Sequence, residues 1–91
     1  MAESVFRLDG NAVAGLLEEA FGADVTAARG WCTGCGAVDP VGAMHVYVHA
    51  PGVVIRCRHC QSVVIRIVRL PSGLRIDLRG TRSLELQPTS E

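Results

Sequence analysis

The segments Cys32-Thr33-Gly34-Cys35 and Cys57-Arg58-His59-Cys60 contain all four cysteines of this chain, and they predict its fold. Each segment is a C-x2-C pair, and 21 residues separate the two pairs. A two-residue spacing lets one tight turn present both sulfurs and its own amide N–H groups to one ion. Two such turns complete a tetrahedral shell of four thiolates, so the spacing predicts one shared metal bound by Cys32, Cys35, Cys57 and Cys60.

The residues around the cysteines favour a ribbon in which each pair lies where a strand turns back. Gly34 and Gly36 suit the first turn, where the backbone approaches the sulfurs and needs φ > 0. The second pair departs from this pattern, because Gln61 stands where the first has Gly36. Both pairs precede β-rich sequence, which argues against a thioredoxin-like dithiol at the start of a helix. Iron fits the same ligands, so zinc against iron stays open, and two disulfides would suit an exported chain.

Zinc at this site is expected to be structural, because four thiolates leave no coordination position for water or substrate. Assembling such a site yields on the order of 10–16 kcal/mol, which equals or exceeds the stability of most small domains. We therefore expect the metal-free chain to be largely unfolded.

Length and patterning predict one zinc-ribbon domain over residues 1–91, mainly β with one N-terminal helix and an antiparallel sheet. The helix is expected over about 10–21, because Val13, Leu16 and Leu17 begin an apolar stripe at helical spacing. Asp9 is the expected cap at its start, and Gly22 is expected to end it. Gly15 inside the helix is unfavourable by about 1 kcal/mol relative to alanine, and it would allow a close approach to the sheet.

The ribbon is expected over about 24–86, and a polar tail over Gln87–Glu91. Turns are predicted at Ala50-Pro51-Gly52 and Pro71-Ser72-Gly73. The strands follow from β-branched runs and from alternation, which is cleanest in the segment where Leu74, Ile76 and Leu78 share a face. The predicted strands are Asp24–Trp31, Met44–His49, Val53–Cys57, Ser62–Leu70, Leu74–Arg79 and a short edge strand at Ser83–Leu86.

Charge is unevenly distributed in a chain whose formal net charge is zero. Residues 1–40 hold six acids and two arginines, whereas residues 41–91 hold seven arginines and three acids. The halves should attract each other, which weakens the case for a free polyanion-binding surface. The polar segment Met1–Asn11 does not resemble a signal peptide and no stretch is long enough to span a membrane, so we expect a cytoplasmic protein.

Several polar and aromatic residues outside the cysteine pairs invite a function. His45, Tyr47 and His49 should share one strand face, although the two histidines are too far apart to bind one ion. His59 could replace a cysteine as ligand, but we expect it to face solvent or donate to a thiolate. Trp31 could stack on a base, but we expect it to be partly buried over the metal site.

Arginine is the other candidate binding group, because all nine basic residues are arginine. Several arginines of the second half could share a sheet face as a positive patch, or form a solvated, partly ion-paired surface. They are Arg56, Arg58, Arg66, Arg69, Arg75, Arg79 and Arg82. No phosphate-binding glycine loop, Ser/His/Asp set or pair of catalytic carboxylates is present, so we predict no catalytic residues and no enzyme activity.

The chain resembles the zinc-ribbon superfamily, and more closely a family of small actinobacterial proteins of unknown function. The resemblance covers most of the chain, and it implies the fold and the metal but no activity. Relatives encoded near oxidoreductases imply an accessory role. The matching segments are Leu8-Asp9-Gly10-Asn11-Ala12, Thr26-Ala27-Ala28, Cys32-x2-Cys35-Gly36, His45-Val46-Tyr47, Ala50-Pro51-Gly52, the Cys57/Cys60 pair and Asp77-Leu78-Arg79-Gly80.

These observations predict a non-catalytic adaptor or accessory subunit that binds another protein, for example an oxidoreductase, with one structural Zn²⁺. The first alternative is a nucleic-acid-binding ribbon that uses an arginine-rich sheet face. The second is a redox sensor, because oxidation of the thiolates would eject the metal. Neither the partner nor the oligomeric state follows from the sequence.

Overall fold

The computed structural model describes residues 8–86, so the segments 1–7 and 87–91, including the predicted polar tail, lie outside the described residues. The described part contains one α-helix and eight short strands. Their bounds are β1 (Leu8–Asp9), α1 (Ala14–Phe21), β2 (Arg29–Cys32), β3 (Val38–Pro40), β4 (His45–His49), β5 (Gly52–Arg56), β6 (Val63–Leu70), β7 (Gly73–Asp77) and β8 (Thr81–Glu85).

The strands form two antiparallel sheets. The larger sheet has the order β1-β4-β5-β6-β7, and the smaller has the order β3-β2-β8. All pairings are antiparallel. The predicted class, mainly β with one N-terminal helix, is therefore confirmed. No helix within residues 8–86 is long and apolar enough to cross a membrane.

The helix differs from its prediction in its first turn. Residues 10–13 form a 3₁₀ turn, and the α-helix begins only at Ala14. Asp9 lies in β1 and makes no side-chain cap, so that part of the prediction is wrong. The tight first turn accompanies a close approach, since a Cβ on Gly10 would lie 2.0 Å from the carbonyl oxygen of Val41. The predicted end is confirmed: Gly22 has φ 75° and donates its amide to the Glu18 carbonyl.

The first predicted strand is shorter than expected. Only residues 29–32 are extended, because the segment before them is a turn in which the amide and hydroxyl of Thr26 both donate to Asp24 Oδ1, at 3.0 and 2.7 Å. Side-chain bonds of this kind favour a turn over a strand. The three-residue β3 was not predicted, because it is short and ends in Pro40.

The core lies between α1 and one face of the larger sheet. Leu17 of the helix is fully buried, and Ile55, Ile65 and Ile67 come from the two central strands. Registration pairs Ile55 with Ile65, so both point to the helix side. The alternation predicted for Leu74–Arg79 holds through Ile76 only. The strand ends at Asp77, and Leu78 is 40% exposed.

Candidate metal centre

Each cysteine pair lies at the tip of a hairpin, and the two hairpins belong to different sheets. Cys32 and Cys35 lie in the connection from β2 to β3 of the smaller sheet. Cys57 and Cys60 lie in the connection from β5 to β6 of the larger sheet. A metal bound by all four sulfurs would therefore join the two sheets at their hairpin tips.

The first hairpin tip is a tight turn organised around Cys32. The Cys32 amide donates to the Ala37 carbonyl and the Gly36 amide donates back to the Cys32 carbonyl, both at 2.9 Å. The Gly34 amide lies 3.3 Å from Cys32 Sγ and can donate to it. Gly36 has φ 78°, as expected, and Gly34 is required for space, since a Cβ there would lie 2.7 Å from Ser62 Oγ.

The second hairpin tip repeats the same hydrogen bonds around Cys57. Its amide donates to the Ser62 carbonyl and the Gln61 amide donates to the Cys57 carbonyl, both at 2.9 Å. The His59 amide lies 3.4 Å from Cys57 Sγ. The two cysteine turns therefore have equivalent backbone geometry, although they share little sequence beyond the cysteines.

Gln61 explains how the second turn forms without glycine. It has φ 66°, the left-handed conformation of Gly36 in the first turn, which non-glycine residues adopt at a cost of roughly 1–2 kcal/mol. Its side chain is held by Tyr47, whose hydroxyl donates to Oε1 at 3.3 Å, and by His45, whose Nδ1 lies 3.1 Å from Nε2. Arg56 donates to its carbonyl oxygen at 2.8 Å. These contacts hold the turn in a conformation that the sequence alone did not indicate.

The four sulfurs converge within 4.8 Å of one another. Sulfurs from opposite hairpins lie 3.6 Å apart for Cys32 and Cys60, and 3.7 Å apart for Cys35 and Cys57. A tetrahedron with metal–sulfur bonds of about 2.3 Å has sulfurs about 3.8 Å apart, whereas a disulfide has them about 2.05 Å apart. The four thiols are free, so the arrangement fits a single metal ion and not a pair of disulfides.

The electrostatics of the sulfur cluster also favour a bound cation. Hydrogen bonds from the Ser62 hydroxyl and amide lower the pKa of the Cys60 thiol to about 6. A hydrogen bond from the Ala37 amide lowers the pKa of Cys35, but desolvation and the neighbouring sulfurs outweigh it and raise that pKa to about 12. One sulfur therefore takes a negative charge readily, and its neighbours resist a second charge. A divalent cation removes this repulsion and allows all four sulfurs to ionise.

A buried carboxylate links the two hairpins beside the sulfurs. Asp39 of β3, 6% exposed, lies across from Gly30 in the smaller sheet. Its Oδ1 lies 3.0 Å from an Arg58 guanidinium nitrogen and its Oδ2 lies 2.7 Å from His59 Nε2. Both basic residues lie between Cys57 and Cys60, so this contact crosses between the sheets. His59 is half exposed, in line with the expectation that it faces solvent, but its ring contacts Asp39, which was not predicted. An acid after one cysteine pair and bases inside the other are the signal in the sequence that points to this contact.

The aromatic and histidine residues have separate positions. His45, Tyr47 and His49 lie on one face of β4, as predicted, but only the first two contact the second cysteine turn. Trp31 is partly buried, as predicted, and registers with Val38 and Ser83 across the smaller sheet. Its neighbour Gly30 packs against Met44, so Trp31 points away from that core, and its role over the metal stays a prediction.

Only some of the arginines share a face: by strand registration Arg66 and Arg75 lie on one face of the larger sheet, whereas Arg69 lies on the other. Arg69 forms two hydrogen bonds with Glu19 of α1, at 3.0 and 3.1 Å, and holds the pKa of that carboxyl below its usual range. Arg79 contacts Asp77 at 2.6 Å and, through hydrogen bonds to its carboxylate, lowers the pKa of that group to about 2. Together with the Arg58 contact above, these are the arginine–acid pairs described within residues 8–86. The predicted attraction between the acidic and basic halves is realised in the Arg58 and Arg69 contacts.

Comparison with known proteins places the chain in a family without assigning an activity. The profile of a family described as "Family of unknown function (DUF6510)" matches residues 2–89, and this range includes all four cysteines. No curated protein and no solved structure matches the chain. The predicted resemblance to a family of unknown function is confirmed at that level.

Proposed function

We propose that this chain, which belongs to the family of unknown function DUF6510, is a non-catalytic zinc-ribbon protein that acts as an adaptor or accessory subunit for another protein. One observation carries the metal part of this proposal: four free thiols from two hairpins of different sheets lie within 4.8 Å of one another. Two equivalent cysteine turns facing each other across one ion are what a zinc ribbon requires.

Zinc is the metal we propose because it prefers four thiolates in a tetrahedron and has no redox chemistry that the surroundings would need to control. Its role would be structural. Four thiolates fill its coordination shell, so no position remains for water or substrate, and this supports a protein that is not an enzyme. The ion would hold together two sheets that Asp39 alone links at this end among the described ion pairs.

Metal content tests this part directly. Protein purified from its native host without metal supplements should contain one zinc per chain by inductively coupled plasma mass spectrometry. Cobalt substitution should give the thiolate-to-metal charge-transfer bands and visible absorption of a tetrahedral four-sulfur site. One iron per chain would overturn the zinc assignment, and purified protein with no bound metal would overturn the ribbon.

The adaptor part is supported by exposed surface and by the distribution of charge. By strand registration one face of the larger sheet contains Arg56, Arg66 and Arg75, and Arg66 and Arg75 are exposed. Nucleic-acid binding has less support, because Arg58, Arg69 and Arg79 are paired with acids and lie on different parts of the molecule. Affinity purification of the tagged chain from its native host should recover a stoichiometric protein partner. Retardation of random DNA or RNA that weakens steeply with salt would instead favour the nucleic-acid alternative.

Redox sensing is a second candidate because two of the four sulfurs, Cys35 and Cys60, belong to exposed residues. Two zinc-bound thiolates would give two electrons to hydrogen peroxide, which takes up two protons and becomes two water molecules, while the sulfurs form a disulfide and release Zn²⁺. Zinc release measured with a colorimetric chelator at low peroxide would support this candidate. An inert site would remove it.

A further inference from the structure

The four cysteines of the metal centre differ in their exposure to solvent. In each cysteine turn the first cysteine is buried and the second is exposed: Cys32 and Cys57 are 1% and 2% exposed, whereas Cys35 and Cys60 are exposed residues. The two turns have the same backbone hydrogen bonds, so the difference repeats on both sides of the site. A small oxidant in solvent therefore reaches Cys35 and Cys60 before the two buried cysteines.

A close sulfur contact joins each exposed cysteine to the buried cysteine of the other hairpin. The sulfurs lie 3.6 Å apart for Cys60 and Cys32, and 3.7 Å apart for Cys35 and Cys57. We name these the cross-hairpin pairs, and the two cysteines of one turn an in-turn pair. A disulfide bond is about 2.05 Å long, so each cross-hairpin pair has to close by about 1.6 Å. The two cross-hairpin pairs share no cysteine, so both can close in one molecule.

Contacts outside the sulfurs hold the two hairpins together at this end of the molecule. Asp39 of the first hairpin lies 3.0 Å from Arg58 and 2.7 Å from His59 of the second. The two turns also touch directly, since a Cβ on Gly34 would lie 2.7 Å from Ser62 Oγ. These contacts do not involve a bond to sulfur, so oxidation of the cysteines leaves them in place. The cross-hairpin sulfurs therefore stay close together while their chemistry changes.

We infer that hydrogen peroxide replaces the metal at this site by two disulfides, Cys32–Cys60 and Cys35–Cys57, and that these disulfides keep the two hairpins joined. This inference rests on the redox candidate proposed above, and it names the sulfurs that pair and the state that results. Disulfides within each turn would leave the two sheets without a covalent link. The cross-hairpin disulfides would instead connect the same two hairpins that the metal connects, so the oxidised chain keeps its fold without the metal.

Each disulfide forms in two steps. The exposed thiolate attacks one oxygen of hydrogen peroxide, so that the O–O bond breaks, a sulfenic acid forms and hydroxide leaves. The buried thiolate of the same pair then attacks the sulfenic sulfur, so that the S–S bond forms and a second hydroxide leaves. The two sulfurs lose two electrons, the peroxide gains them, and two protons from solvent convert the hydroxides into water. Two peroxide molecules therefore oxidise one site, which then has no thiolate to hold a cation.

Peptide mapping of the zinc-loaded full chain tests the pairing. Cleavage after arginine under non-reducing conditions places Cys32 and Cys35 in fragment 30–56, Cys57 in fragment 57–58 and Cys60 in fragment 59–66. After peroxide treatment and blocking of free thiols, we expect mass spectrometry to find 30–56 linked to both other fragments. Fragmentation between Cys32 and Cys35 should then assign Cys32 to Cys60. A link between 57–58 and 59–66, or a link from Cys32 to Cys57, would overturn the inference.

The same chain, reduced and unfolded in guanidinium chloride, provides the matched control. The in-turn pairs are three residues apart, whereas the cross-hairpin pairs are 28 and 22 residues apart. Loop-closure entropy alone therefore favours in-turn disulfides by roughly tenfold in the unfolded chain. We expect in-turn links to predominate in guanidinium chloride and cross-hairpin links in the folded protein. The same distribution of links in both samples would show that chain connectivity sets the pairing, and it would overturn the inference.

Circular dichroism tests whether the oxidised chain stays folded. After peroxide treatment and removal of the released zinc, the chain should keep most of its β signal. Adding a thiol reductant together with a chelator should then abolish that signal, because neither disulfides nor metal would join the hairpins. Loss of the β signal on oxidation, before any reductant is added, would overturn the inference whatever the pairing.

These outcomes separate the inference from the proposal on which it rests. A site that neither releases zinc nor forms disulfides at low peroxide removes both the redox candidate and the inference. Zinc release with in-turn disulfides refutes the inference and leaves redox sensing standing. Zinc release with both cross-hairpin disulfides and a retained β signal supports both.

Discussion

Replacing Asp39 with asparagine should loosen the junction between the two hairpins, because its carboxylate is buried and contacts two basic side chains of the other hairpin. Asparagine keeps the size of the side chain and removes its charge. A hydrogen bond to a charged group contributes about 1.5–3 kcal/mol, but Arg58 and His59 are 46% and 50% exposed, so water already screens part of each contact. We expect a loss of about 1–2 kcal/mol in the free energy of unfolding.

The loss should be visible both in melting and in metal retention. For a domain of this size, 1 kcal/mol shifts the midpoint by about 4–8 °C, so the zinc-loaded Asp39→Asn variant should melt about 5–15 °C below wild type by circular dichroism. Zinc transfer to a competing chelator should become about tenfold faster, as for other groups that orient a metal site from outside its ligand shell.

A second aspartate provides the control. Asp77 is also paired with an arginine, but Arg79 is only two residues away and its side chain is 91% exposed, so Asp77→Asn should melt with wild type and keep its zinc equally well. Equal melting temperatures and chelator rates for wild type and Asp39→Asn would refute the role assigned to the buried carboxylate. Equal losses of stability in both aspartate variants would show that the buried position of Asp39 beside the sulfurs is not the cause.

Three other predictions follow from the geometry. Removing the metal with a strong chelator should abolish most of the β signal in circular dichroism, and adding zinc back should restore it. A native spectrum of the metal-free chain would contradict the structural role of the metal. Gln61→Gly and Gln61→Ala remove the same contacts with His45 and Tyr47 but differ in backbone freedom. The Gln61→Ala variant should therefore be about 1 kcal/mol less stable than Gln61→Gly in chemical denaturation. Equal stability of the two variants would show that φ 66° at this position carries no strain. Gly15→Ala should stabilise the chain by about 0.5–1 kcal/mol, since nothing lies within 4 Å of the added Cβ. Gly10→Ala should destabilise the chain, because its Cβ would lie 2.0 Å from the Val41 carbonyl oxygen. A higher melting temperature for Gly10→Ala than for Gly15→Ala would contradict the packing described for these residues.

The glycines show where sequence reasoning succeeded and where it stopped. Gly22 and Gly36 adopt the positive φ that their positions after a helix and inside a cysteine turn suggested. The predicted close approach of Gly15 to the sheet is wrong, because that residue is exposed and nothing lies within 4 Å of a Cβ built on it. Close approaches occur instead at other glycines, such as Gly10 and Gly34, whose neighbours Val41 and Ser62 lie about 30 residues away along the chain.

The amino-acid sequence by itself determined the local features of this protein: the two cysteine pairs, the helix end, most strands and the mainly β class. Cysteine spacing and apolar alternation are patterns of a few neighbouring residues, so each can be recognised in a single segment of the chain. Only the tertiary structure decided which residues meet across the two sheets. It joined Asp39 to Arg58 and His59, supported Gln61 with His45 and Tyr47, and placed Arg66 and Arg75 on a different face from Arg69. These contacts depend on registration and on the packing of distant hairpins, which no local pattern encodes.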